Sequence, residues 1–479
     1  MKKAKALVMV FCMVLGILTL NTSKIAAFPG IEINSITFPD KQFRANVLTN
    51  YDTNVDGILS SSESDAVTKM DLSNLGIADL TGINYFSNLA ILNAESCGIT
   101  TADFSNNTLL EQLDLTGNKL TALDVSNSSE LKTLSIDNNQ ISKIDVSKNP
   151  DLSLLSVADN ALTAIDVSKN QLLLMLDISR NQISKIDISK NIALNILGCD
   201  TNKISDLDVS ANVLLVALSC GDNKLTKLDV SNNPKLQELY CDQNQLTSLD
   251  VNNHLELFKL ICDKNKISDL NIGNTPALKI IFCDHNLIST LDVSGSPELE
   301  TIVCTNNKIN NLDLSHNLKL DWASLEDNAL SQLDLSHNLE LSKLNCENNA
   351  IYQLDLSNNS KLTDVKLGNQ TIYLQEHLGT DSRYYYDLNG TVNDLSKVSA
   401  LSGYSLNKGI ISGSKADGFA YNYQCNDKYK MSVNIKPSGA LKKDTAAPLT
   451  SDSSNLMAYI GLFALSGLLI KRLSKSLNK

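Results

Sequence analysis

Six residues within a run of twelve could hold a hard cation. Asp52, Asn54, Asp56, Ile58, Ser60 and Glu63 fit the pattern D-x-D/N-x-D/N-G-x5-E, with Gly57 at its fixed place. The chemistry uses each of them. Asp52, Asn54 and Asp56 offer side-chain oxygens and Ile58 a backbone carbonyl. Ser60 reaches the ion directly or through water, Glu63 clamps with two oxygens, and Gly57 makes the sharp turn. Leu59 takes the apolar place that packs between flanking helices. The spacing predicts one calcium ion. The plainer alternative is a capping helix pair joined by an Asp-rich turn.

Thiols, imidazoles and carboxylates recur at a fixed interval. Cys199, Cys220, Cys241, Cys262, Cys283 and Cys304 follow one another every 21 residues, and Cys346 stands two intervals further on. Earlier intervals put Leu115, Ile136 and Val157 at the same place, so these cysteines read as small buried apolar residues. Parallel neighbours that point the same way suit a disulfide poorly, and a linear row offers no four convergent thiolates to a metal. His316 and His337 are one interval apart and read as exposed turn residues, with a metal pair as the weaker alternative. An aspartate row runs from Asp103 to Asp355, interrupted by Asn271. Its charges need an offset from turn amides of neighbouring coils, from Lys143, Lys185 and Lys227, or from cations; the favoured reading is a solubilising face. No Ser-His-Asp order, HExxH, P-loop or GxGxxG occurs, and equivalent periodic acids are unlike an acid and base in unequal environments. An enzyme is not expected.

What must position all of these is a repeat. From Leu89 to Leu362 the first position recurs every 21 residues, fourteen times, with the frame LxxLxLxxNxLxxLDVSxNxx. The unit is nearly duplicated: Leu152, Leu155, Val157 and Asn160 are followed by Leu162, Ile165, Val167 and Asn170. Each LxL trio alternates in and out as a strand does, which predicts a strand on both long sides of every coil. Inward leucines stack, and the asparagine at position nine gives its amide to turn backbone as an internal ladder. At about 4.8 Å per coil the array would extend on the order of 70 Å. The expected fold is a β-rich solenoid with capped ends. A narrow aliphatic core agrees with aromatic residues at only 5% of the chain.

The frame resembles the bacterial leucine-rich-repeat proteins with 21-residue nested repeats, whose broader relatives are surface proteins of the internalin type. The resemblance implies a binding protein displayed outside the cell, with an EF-hand-like helical cap before the repeats and a small Ig-like domain after them. Net charge is -12, which argues against nucleic acid as a partner. The expected partner is an extracellular protein or glycan, bound by a monomeric solenoid; the alternative is a structural envelope spacer with no discrete ligand.

Outward positions of the first strand carry that functional reading. Position five holds Tyr240, Ile261, Phe282 and Val303 in four consecutive coils, position three adds Ile280 and Trp322, and Phe258 stands beside them. Leu154, Met175, Ile196 and Val216 are exposed nearby in earlier coils. Elsewhere these positions are polar. An apolar stripe on a solvated sheet marks an interface, and aromatic residues are typical anchors. The alternatives are cross-strand pairs that stabilise the sheet, or a chain tail folded over them.

The remaining segments read as follows. Residues 1–27 form a signal peptide, with basic Lys2, Lys3 and Lys5, the apolar run Ala6 to Leu20 and a small-residue site at Ala26-Ala27. Residues 28–66 form the helical cap, with Asp40 as N-cap and Phe43, Val47, Leu48 and Tyr51 at helical spacing. Residues 67–372 form the solenoid, opened by a divergent coil in which Leu75, and then Cys97, replaces the ladder asparagine. Residues 373–436 read as short strands between turns. Residues 437–455 are a polar spacer, and 456–479 hold a fifteen-residue apolar run and a basic tail. This end resembles a sortase-type sorting signal. Of Ala447, Pro448, Leu449, Thr450 and Ser451, the proline and threonine match Leu-Pro-x-Thr-Gly, while Ala447 and Ser451 depart from it. The resemblance implies anchoring to the cell wall, or to the membrane if processing fails.

Overall fold

A computed structural model describes residues 30–401, 403–414 and 419–443. The signal peptide, the sorting motif and the apolar anchor lie outside the described residues. The chain forms two compact units, one ending at Ala193 and one beginning at Leu194.

The first unit opens with a helical cap. Helix α1, Lys41–Asn50, starts where Asp40 accepts hydrogen bonds from the amides of Gln42 and Phe43, and it buries Phe43 and Val47. Helix α2, Ser61–Ala66, starts at Ser60. Between them, strand β2 (Ile58–Leu59) pairs antiparallel with strand β1 (Ile31–Glu32). A single helix–loop–helix would leave its loop strand unpaired; β1 fills that place. Phe38 and Phe43 meet edge to face at 5.5 Å, as do Tyr51 and Phe86, so aromatic side chains seal the start of the coils. Strands then follow at Lys69–Asp71, Ile91–Asn93, Gln112–Asp114, Thr133–Ser135, Leu154–Ser156 and Met175–Asp177, all parallel and in register.

The second unit is built from coils of the same kind. Its strands run from Ile196–Gly198 to Asp364–Lys366, each pairing with the strand of the next coil. The middle residue of nearly every strand is buried, together with positions one and six. Each such leucine contributes about 2 kcal/mol by leaving water. The asparagine ladder forms as the frame implies. Asn244 accepts from the Leu225 amide at 2.9 Å and donates to the carbonyls of Cys220 at 2.9 Å and Asp242 at 3.0 Å. A second ladder uses the asparagine near the end of the frame: Asn233 donates to Val209 and Asn212 carbonyls. His254, Thr275 and Ser296 interrupt it, and the buried His254 ring lies between the carbonyls of Val251 and Val230.

Two expectations fail. The second trio becomes a hydrogen-bonded strand in only two coils among the described residues, Ser248–Asp250 and Asp269–Asn271. Asp124, Asp145, Asp166 and their equivalents accept the amide two residues on in their own coil, as Asp166 does from Ser168 at 2.9 Å. Asp250 takes the Asn252 amide at 2.9 Å in the same way while lying within a strand, so this turn is compatible with strand pairing. The offset therefore comes from the same coil, not from its neighbours. Where the row has Asn271, the Val251 amide donates to Asn271 across coils. In the first coil Leu75 is 43% exposed and does not take the ladder place. Cys97 is buried there, its thiol donating to the Leu72 carbonyl.

The far end is closed by short strands. Gln370 takes the last ladder place, accepting from Ile351 and donating to Cys346, and it also begins the strand Gln370–Leu374. That strand pairs with Lys430–Pro437, which pairs with Phe419–Gln424. A second sheet contains Tyr384–Asp387, Ser405–Asn407 and Ile410–Gly413. Between these strands, Thr391-Val392 is a turn: both amides reach the Leu388 carbonyl. The terminal coil is bonded to this layer by Tyr421 Oη to Tyr352 O at 2.7 Å and by Leu356 N to Cys425 O at 3.1 Å.

Candidate binding face

In the second unit, parallel register brings the position-five side chains into one row. Tyr240 is opposite Ile261, Ile261 opposite Phe282, and Phe282 opposite Val303. All four are half-buried. Ile280 and Trp322 flank them across Thr301, and Trp322 is 36% exposed. Phe282 and Trp322 stand edge to face with centroids 6.1 Å apart. Phe258 precedes its strand, half-buried beside the row. The expected residues are thus assembled on one face. Two lysines share it: Lys259 Nζ lies 5.0 Å from the Tyr240 ring centre and Lys343 Nζ 5.8 Å from that of Trp322. The Tyr240 hydroxyl donates to Glu238, and burial with that carboxylate raises its pKa.

Each of these strands is followed, three positions past the row, by a residue with positive φ, such as Gln243 (51°), Lys264 (50°) and His285 (52°). This left-handed step breaks the strand. The position just before it was missed by sequence reasoning. It carries Asp242, Asp263 and Asp284, outward beside the apolar row. The signal was present: a Cys-Asp pair recurs at 199–200, 241–242, 262–263 and 283–284.

Beneath the face run the cysteines. All seven of the row are free and buried. Burial drives the thiols of Cys220, Cys241, Cys262, Cys283, Cys304 and Cys346 upward, Cys304 to about 12, so they stay protonated and inert. They are core residues, as their spacing suggested.

The other site candidates behave differently. His316 and His337 are exposed, each within reach of the preceding serine hydroxyl. In the cap loop the calcium donors do not converge. Asp52 accepts the Asp56 and Gly57 amides, and Asp56 accepts Ile58 N and Asn54 Nδ2. Glu63 Oε1 accepts Thr53 N and Oγ1, both at 2.7 Å, while Oε2 accepts Ser60 N at 2.9 Å and Oγ at 2.7 Å. These bonds lower the Glu63 pKa to about 2. No three acidic, histidine or cysteine side chains among the described residues are grouped to hold a metal. In this conformation Glu63 clasps the loop from inside, through Thr53 and Ser60.

Comparison with known proteins joins these observations. No family model and no curated protein sequence matches the chain. Among solved structures, the chain is similar to the functional domain of InlJ from Listeria monocytogenes, which includes a cysteine ladder. Identity is 30% over 86% of this chain and 100% of that one, with a TM-score of 0.67. This chain belongs to the internalin-type leucine-rich-repeat proteins. The internalin InlF from the same organism is similar at 23% identity, over 72% of this chain and 100% of that one, with a TM-score of 0.58. A plant receptor ectodomain from Arabidopsis thaliana shares the fold at 21% identity, over 66% of this chain and 46% of that one, with a TM-score of 0.56. The internalin-type chain described here places its own cysteine row beneath the strands that carry the aromatic row. None of its described helices is long and apolar enough to cross a membrane.

Proposed function

We propose that this internalin-type protein is exported, held at the cell surface by its C-terminal segment, and binds an extracellular protein through the face around Tyr240, Ile261, Phe282 and Trp322. The observation that carries the reading is the apolar run over four consecutive strands, ending in the exposed Trp322. Leaving such a row in water is unfavourable, and covering it would release that cost. Aromatic anchors surrounded by polar coils have the make-up of a binding hot spot. The plant receptor ectodomain of this fold was solved in complex with a protein factor.

One observation favours the second reading, a spacer without a ligand. The aromatics are partly engaged within the chain, by the Phe282–Trp322 contact and by Lys259 over Tyr240. The test is Tyr240→Ser, Phe282→Ser and Trp322→Ser together in the full chain. Binding to a panel of extracellular proteins should be lost while circular dichroism is unchanged. No binding by the unaltered chain would favour the spacer, loss of the fold would make these side chains structural, and binding that survives would place the site elsewhere.

A further inference from the structure

The chemistry of the face changes across its width, and that change names the class of partner. Two residues beyond Tyr240, Ile261 and Phe282 stand Asp242, Asp263 and Asp284, in the same three coils. The side chains of Asp263 and Asp284 are only 14% and 18% exposed. Carboxylates one coil apart and partly out of water repel one another.

Elsewhere the chain satisfies this position itself. Asp137 receives the Ser156 hydroxyl at 2.7 Å and the Ala158 amide at 2.7 Å. Asp200 receives the Gly221 amide at 2.7 Å. Beside the apolar row such fixing is absent among the described residues. The cation nearest to Asp263 is Lys264 at 3.8 Å. Asp242 has the Gln243 side-chain amide at 3.2 Å, and Asp284 has His285 at 2.7 Å. Burial and the neighbouring carboxylates of Asp284 and Asp242 push the Asp263 pKa up. Of the three, Asp263 alone has a lysine within ion-pair distance among the described residues, so the row beside the aromatics carries more carboxylates than the chain pairs with lysine or arginine. The aromatics themselves already hold cations, since Lys259 and Lys343 lie over Tyr240 and Trp322.

We infer that the partner presents a cationic protein segment, with Lys or Arg side chains over Asp242, Asp263 and Asp284 and apolar side chains over Tyr240, Ile261 and Phe282. This rests on the binding face proposed above and adds the sign of the partner's charge. Charge complementarity of this kind selects partners and speeds their encounter.

The probes are three synthetic peptides of equal length and equal Leu and Tyr content, with Arg, Ser or Glu at the remaining positions. They are titrated into the full chain by anisotropy. Three variants accompany the wild type: Asp242→Asn, Asp263→Asn, Asp284→Asn; the Tyr240, Phe282, Trp322 serine triple; and a charge control, Asp124→Asn, Asp145→Asn, Asp166→Asn. The Arg peptide should bind wild type about tenfold or more tighter than the Ser peptide, and the Glu peptide most weakly. In the first variant the Arg preference should fall to about twofold with Ser-peptide affinity kept, while the charge control keeps the wild-type preference. The serine triple should lose both peptides. Equal affinity for Arg and Ser peptides in wild type, an equal fall in the charge control, or no binding of any peptide would overturn the cationic partner. Undiminished binding in the serine triple would instead overturn the face itself.

Discussion

Replacing Glu63 by glutamine keeps the shape of the side chain and removes its charge. The wild-type carboxylate takes Thr53 on one oxygen and Ser60 on the other, through both backbone amides and both hydroxyls. Glutamine has one acceptor oxygen, so its NH2 must face either the Thr53 or the Ser60 amide, donor against donor. The size of the loss follows from the same bonds. They lower the pKa from 4.5 to about 2, which at about 1.4 kcal/mol per unit sets a ceiling near ~3 kcal/mol. The loop lies at the surface, where water screens, so the expected loss is about 2 kcal/mol. The carboxyl titrates lower in the folded chain than in the unfolded one. Its contribution is therefore complete above pH 4.5 and is lost as pH falls toward 2.

The assay is hydrogen exchange at the amides of Thr53 and Ser60. At neutral pH Glu63→Gln should expose them about thirtyfold more often. The gap should narrow as the pH drops through the window. Calcium should leave the wild-type amides unchanged, because the carboxylates of Asp52, Asp56 and Glu63 all hold protein donors. A difference that does not depend on pH, or strong slowing of exchange by calcium, would refute the internal clasp.

Two further outcomes follow from the coils. Asn244→Ala leaves the Leu225 amide and the Cys220 and Asp242 carbonyls without their partner; urea unfolding should show a loss of about 2–4 kcal/mol, and a loss below ~0.5 would contradict the ladder's role. The seven cysteines of the row should resist a thiol-specific label in the native protein and react together once denatured, since all seven are buried; fast native labelling would show that the coils open.

Much of the coil was legible in the sequence because its causes are local and repeated. A leucine at each inward place and an asparagine at position nine determine which groups are buried and which amides are bonded. The face was legible for the same reason: register follows from a constant interval, so Tyr240, Ile261, Phe282 and Val303 had to share a row. Less legible was where a side chain bonds the backbone. Spacing shows that Asp166 points outward but not that it takes the Ser168 amide of its own coil. The cap loop has the residue types of a calcium site, yet nothing in the pattern tells whether Glu63 faces an ion or the loop's own amides. The acidic neighbours of the face were overlooked because each belongs to a common Cys-Asp pair, and their low exposure depends on the coils above and below.

The asparagine ladder also bears on how such a chain can change length. Every rung makes the same bonds: its oxygen takes the amide nineteen residues back, and its nitrogen reaches the carbonyls twenty-four and three residues back, as Asn223 and Asn244 both do. A gain or loss of 21 residues within the uniform coils therefore rejoins like with like and leaves no rung unpaired. The number of coils can drift by recombination at little structural cost, while Tyr240 to Val303 stay in register as one inherited block. Selection on what the face binds is thereby separated from selection on how many coils carry it.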